Sequence, residues 1–151
     1  MSEGKQIIEK HIVRVQTIML KFMRAIYNTS QRHDASKLDE ATELPFFEKY
    51  APLLKTCDYG SEQYKKYLKE LEPAIELHYR RNRHHPEHFE NGISGMNLID
   101  LVEMFSDWLA ATEQHKNGDI FKSIEINQKR FGYSDEIKSV LTNTAKIFLQ
   151  G

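Results

Sequence analysis

Residues 78–108, HYRRNRHHPEHFENGISGMNLIDLVEMFSDW, decide how the rest of the chain is read. The second half has a helical pattern. Leu98, Leu101, Val102, Phe105, Trp108 and Leu109 recur at spacings of three and four or their neighbours, and Ile99 and Met104 widen the arc. This predicts a central helix that starts near Met96 and is buried over most of its circumference. Asp100, Glu103 and Asp107 share the remaining narrow face. Like charges so placed repel one another, so they either face solvent or are compensated by something cationic. The first half holds four of the seven histidines within eleven residues: His78, His84, His85 and His88. Pro86 predicts a break after His85. Asn91, Gly92 and Gly95 predict a turn before helix resumes.

Upstream, Tyr64, Leu68, Leu71 and Ile75 form the inward stripe of a helix running from Ser61 or Glu62 toward residue 83. His78, Asn82 and His85 continue that stripe at spacings of three, four and three. The core face turns polar without changing direction. Either this is the polar rim of a surface helix or the histidines converge on something. Pro73 either begins a second helical segment or sits inside the first. Thr56 to Ser61, with the lone Cys57, reads as a surface loop, and Pro45 as the first turn of a helix carrying Phe46, Phe47, Tyr50, Leu53 and Leu54.

Before that helix stands HDASK, residues 33–37, in which Lys37 can share a helical face with His33 and Asp34 and Ser36 can cap the turns that follow. Residues 5–28 read as one long helix with Ile8, Ile12, Val15, Ile18, Met19, Phe22 and Ile26 on one face. His11 belongs to that face, either as a hydrogen-bonded core residue or as a ligand. Downstream, Asn117 and Gly118 end the central helix, residues 120–131 form a short amphipathic helix stopped by Gly132, and Ser134 caps a last one. No strand candidate appears. The expected fold is all-α, a single domain over residues 1–151 with six or seven helices.

The length of 151 residues and 40% hydrophobic content support a real core. A net charge of -1 argues against a generic nucleic-acid binder. One cysteine rules out a disulfide framework and a thiolate-rich zinc site. No apolar run is long enough to span a bilayer, so the default expectation is a cytoplasmic protein, with oligomers allowed. Imidazoles and carboxylates offered together suit a divalent transition metal such as Zn, Mn, Fe, Ni or Co, and the set is large enough for one ion or two.

These residues carry a resemblance. His11, the His33-Asp34 pair and Asp107 resemble the ordered ligands of the HD-domain metal-dependent phosphohydrolase superfamily, all-α proteins in which a histidine, a His-Asp pair and a later aspartate converge on metal. Lys37 matches the lysine of that family's HD-x-x-K form. His84-His85 followed by FSDWLAA is similar to the branch with more than one metal. The full series HD-x-SK, H-x-x-x-N-x-HH-x-EH and D-x-x-E-x-x-x-D-W is similar to a family of small, functionally undescribed bacterial and phage helical proteins.

The resemblance, over residues 11 to about 112, implies an HD-like fold and hydrolysis of a small, nucleotide-like phosphate ester by metal-activated water. It implies metal ligation by His11, His33, Asp34, His84, His85 and Asp107. Lys37 would hold a phosphate oxygen, helped by Arg81 or Arg83. His78 would complete a second metal site or act as general acid, and Glu103 would orient an imidazole or activate water. Two other outcomes fit the same residues: an iron-dependent, oxygenase-like relative, and a non-catalytic metal-stabilised helical interaction protein.

Overall fold

The computed structural model describes residues 2–57, 61–114 and 117–149. They fall into two compact units, one reaching to His33 and one beginning at Asp34. Among the described residues every regular element is helical.

The first unit is built on α1, Glu3–Ser30, two residues longer at each end than its apolar pattern predicts. Ser2 caps it by accepting a hydrogen bond from the Lys5 N–H at 3.4 Å. None of its residues is buried, and Ile8, Ile12, Met19 and Phe22 stand exposed. The inward stripe expected around His11 is therefore not realised within the unit, because a single helix has nothing of its own to bury it against.

The second unit starts with a 3₁₀ turn, Ala35–Leu38, followed by α2 (Leu44–Thr56) and α3 (Glu62–Arg81). Tyr50 of α2 meets Leu71 and Ala74 of α3 in a small core. Pro45 sits in the first turn of α2, as its sequence predicts. Pro73 does not open a second segment; it lies inside an unbroken α3. A proline inside a helix costs about 3 kcal/mol. Here the face that buries Leu71, Ala74 and His78 outweighs that local cost. Two further 3₁₀ turns, Pro86–His88 and Gly92–Gly95, lead into α4 (Leu98–Glu113). Gly95 has to be small, because a Cβ there would meet Phe89 Cβ at 2.8 Å.

Helices α4, α5 (Ile120–Phe131) and α6 (Asp135–Leu149) share the larger core, with Met104, Phe105, Ile120, Ile124, Leu141 and Ala145 at its centre. Gly132, at φ 65°, ends α5 in the left-handed conformation that glycine adopts freely. The central helix is less enclosed than its sequence predicts. Met104 and Phe105 are buried, but Leu98 is 64% and Val102 41% exposed. The packing on α4 comes from α5 and α6, so it covers a stripe and not the circumference. No described helix is long and apolar enough to cross a membrane.

Candidate metal centre

The second unit gathers a set of ring nitrogens and carboxylates from four stretches of chain. Asp34 is the single described non-glycine residue with positive φ, at φ 54° and ψ 12°. Aspartate tolerates this region better than most residues. The Lys37 N–H donates to the Asp34 carbonyl at 2.9 Å, closing the first 3₁₀ turn, and the Lys37 ammonium bonds Asp34 Oδ2. His78 comes from the last turn of α3. Beyond it His85 is extended, at φ -92° and ψ 126°, as a residue before proline must be. That break lets the neighbouring rings of His84 and His85 lie 4.1 Å apart on the same centre. Glu103 and Asp107 project from α4, one turn apart.

Asp34, His78, His84 and His85 each offer one ligand atom, and the four atoms lie within 4.8 Å of one another. His78 Nε2 is 3.1 Å from Asp34 Oδ1 and 3.0 Å from His85 Nε2. His84 Nε2 is 3.4 Å from Asp34 Oδ1. Neighbouring donors bound to one metal at roughly 2.0–2.1 Å are separated from each other by about 2.8–3.4 Å, octahedral sites at the short end and tetrahedral at the long. The residues present therefore fit a divalent ion in both donor type and spacing. Asp107 brings a carboxylate oxygen within 4.8 Å of one on Asp34.

The far side of two rings is also set. His78 Nδ1 lies 2.9 Å from Oε2 of Glu43, and His84 Nδ1 lies 3.1 Å from Oε1 of Glu103. A carboxylate accepts and does not donate, so it favours the tautomer protonated at Nδ1, in which Nε2 has the lone pair for ligation. Glu43 has no solvent exposure. Its charge is held by the Ser36 hydroxyl at 3.0 Å and by Arg81 Nη1 at 3.2 Å. The Asn82 amide donates to Ser36 Oγ at 2.7 Å, completing a polar shell behind His78.

Burial works against the charge on Asp34, but the bonds from His78, His84 and Lys37 outweigh it and hold its carboxyl well below the usual range. Burial also disfavours the charged form of His84, yet Asp34 and Glu103 raise its pKa to about 9. Burial, then the neighbouring rings of His84 and His78, push His85 down to about 3. His85 is a neutral ring beside a protonated one.

The remaining predicted residues have definite places. His11 is exposed on α1, and His33 is the last residue of the first unit. His88 sits outside the donor set, with Nδ1 3.1 Å from the Tyr79 carbonyl. Arg83 clamps Asp100 through two bonds, at 3.0 and 2.9 Å. Asp100 also forms the capping box of α4 with Asn97. Arg81 is engaged by Asp39, Thr42 and Glu43. Both arginines expected from sequence as phosphate helpers are engaged by carboxylates, Arg81 by Glu43 and Arg83 by Asp100. The acidic face of α4 is compensated by Arg83 at Asp100 and by His84 at Glu103. Beside His85 and Asp107 lies a pocket of about 390 Å³, walled by Tyr79, Trp108, Arg130 and Phe131.

Residues 1–150 match the model of a family of unknown function, DUF5662. The chain belongs to that family. No curated protein and no solved structure matches it.

Glu43 and Ser36 stand behind the His78 ring, a place that sequence reasoning did not give them. Glu43 precedes α2 with no motif around it. The capping role of Asp100 did have a signal, Asn97 three residues before it.

Proposed function

We propose that this protein is a metal-dependent phosphohydrolase acting on a small, nucleotide-like phosphate ester, in the manner of the HD-domain superfamily. The donor set of the second unit is Asp34, His78, His84 and His85, with Asp107 beside it. One observation carries the reading: the carboxylates of Glu43 and Glu103 stand 2.9 and 3.1 Å from Nδ1 of His78 and His84, and the Nε2 atoms of the same two rings lie 3.1 and 3.4 Å from a single oxygen, Asp34 Oδ1. Second-sphere carboxylates of this kind raise ligand basicity and fix ring orientation at metal sites.

A divalent ion bound there supplies an acidified water and offsets charge on the phosphoryl oxygens. The chain's own groups do the rest. Lys37 would share its charge with a phosphate oxygen, a role supported by its bond to Asp34 Oδ2 at the edge of the donor set. Glu103 keeps His84 in its ligating tautomer, which favours the orienting role over that of general base. A non-catalytic, metal-stabilised module would close every position with protein donors. The pocket beside His85 and Asp107 favours a site that a substrate and water can reach.

The test is metal content by mass spectrometry on protein purified without chelator, for wild type and Asp34→Ala. Wild type should carry transition metal near stoichiometry and the variant little. Metal-loaded protein is then assayed on p-nitrophenyl phosphate, nucleoside monophosphates and cyclic nucleotides. Equal metal in both proteins, or none in wild type after incubation with each ion, sinks the metal centre. Bound metal with no hydrolysis of any ester sinks the phosphohydrolase and leaves the stabilising role.

A further inference from the structure

The pocket beside the metal centre contains one strong cation that the proposed reaction does not use. Its apolar wall is Trp108 and Phe131, with rings 6.2 Å apart and 8° from parallel. Arg130 is the single arginine or lysine among its described lining residues. Its guanidinium lies over Phe131, 4.8 Å from the ring centroid, and Nη2 donates to Glu87 Oε1 at 2.6 Å. Glu87 follows His85 by two residues, so the ion pair ties α5 to the histidine loop across the pocket.

This pair is poorly explained as a stabilising contact. The Arg130 side chain is 56% exposed, and exposed ion pairs contribute little to folding. A guanidinium has five donors in a planar fork that matches an oxyanion, whereas the bond to Glu87 occupies one. Flat groups stack on aromatic faces of the Trp108 and Phe131 kind. Asn127, bonded to Ser123 at 3.3 Å, is neutral; the lining's other carboxylate besides Glu87 is Asp107, at the end of the pocket that adjoins the donor set.

We propose that Arg130 is an anion-binding residue, gripping the carboxylate or phosphate group of a ligand whose flat body lies against Trp108 and Phe131. Glu87 holds the guanidinium in place until the ligand's oxyanion displaces it. This deepens the phosphohydrolase reading by adding a second anchor for the substrate, and it rests on that reading only for what happens at the metal end.

Trp108 is the chain's one tryptophan, so its fluorescence reports occupancy of this pocket directly. The intact chain, before and after chelation, is titrated with phenylphosphonate and with benzoate. A saturable change with phenylphosphonate alone identifies a phosphate-like ligand, and with benzoate alone a carboxylate; either supports the inference. Arg130→Gln should weaken the response about tenfold or more, the share of a charge-assisted bond. Glu87→Gln should tighten it, because the internal competitor is gone. Both side chains are on the rim, so neither variant threatens folding. No saturable response to either probe, or equal affinity in wild type and Arg130→Gln, overturns the inference. An Arg130-dependent response in a chain that binds no metal removes the proposed function alone, and a metal-binding chain blind to both probes removes the inference alone.

Discussion

His78 is joined to Glu43, 35 residues earlier, through Nδ1 and Oε2 at 2.9 Å, and the carboxylate that receives this bond has no solvent exposure. A buried carboxylate persists only where its charge is met on several sides. Arg81, Ser36 and His78 do that here. The expenditure of a fully buried charge behind one imidazole makes sense if that imidazole has to be a strong, oriented ligand.

Glu43→Gln keeps the shape of the side chain and removes its charge. Loss of an outer-sphere carboxylate lowers metal affinity about 10–100-fold. Competition against a chelator of known strength measures it. An affinity equal to wild type would show that His78 does not ligate the ion.

Asp34→Asn and Asp34→Ala should both lose the ion but differ in stability. Asparagine tolerates the left-handed backbone at φ 54°, whereas alanine there carries a penalty of roughly 1–2 kcal/mol. Urea unfolding of the two metal-free variants reads the difference. If alanine is as stable as asparagine, the backbone at this position relaxes.

Metal removal should lower the melting temperature of wild type and leave Asp34→Asn unmoved. An ion at about 100 times its Kd adds about 2.7 kcal/mol to the folded state. Thermal unfolding with and without chelator checks it. A wild-type curve indifferent to chelator contradicts the centre.

The size of that metal effect should depend on pH. In the metal-free chain His84 keeps its proton to about 9, above the ordinary 6.5. A raised pKa stabilises fully below the unfolded value and loses its contribution as pH climbs through the folded one. The metal-free chain therefore weakens between about pH 6.5 and 9. Metal needs the lone pair that this proton occupies, so its affinity rises over the same window. The gap in melting temperature between loaded and metal-free protein should widen steadily across it. A gap that narrows with pH would place the competing proton elsewhere.

Asp100→Ala separates scaffold from centre. It removes the capping box of α4 and the partner of Arg83. Cap losses cost about 0.5–2 kcal/mol. Denaturant unfolding should show this destabilisation while metal content stays at the wild-type level. Loss of metal in a folded variant would make Asp100 part of the centre after all.

The helical class, Pro45 at the start of α2 and the Gly132 stop were legible because each is a local matter of pattern or dihedral preference. The polar continuation of the α3 stripe was legible too: His78, Asn82 and His85 do meet, with His78 Nε2 3.0 Å from His85 Nε2 and the Asn82 amide 3.0 Å from His78 Nδ1. What spacing cannot carry is pairing across the chain. Arg81 and Arg83 looked alike as cations, and only the fold shows that carboxylates already engage them. Glu43 was illegible for the same reason, since its partner is His78 and nothing near it in sequence says so. Pro73 left two readings open, and the unbroken helix wins because local backbone chemistry loses to a helix face with a core to fill.

The donors come from the end of α3, which belongs to one apolar core, and from the loop before α4, which belongs to the other, with Glu103 supporting His84 from α4 itself. During synthesis Asp34, Glu43 and His78 leave the ribosome before the sequence that steadies His84. An ion captured at that stage meets a partial set and an untethered ring. The donor set is steadied in full only when α4 has docked, so an ion held there would mark a late stage of folding. Damage to either core, even far from the histidines, should first appear in cells as protein that is present but poorly metallated.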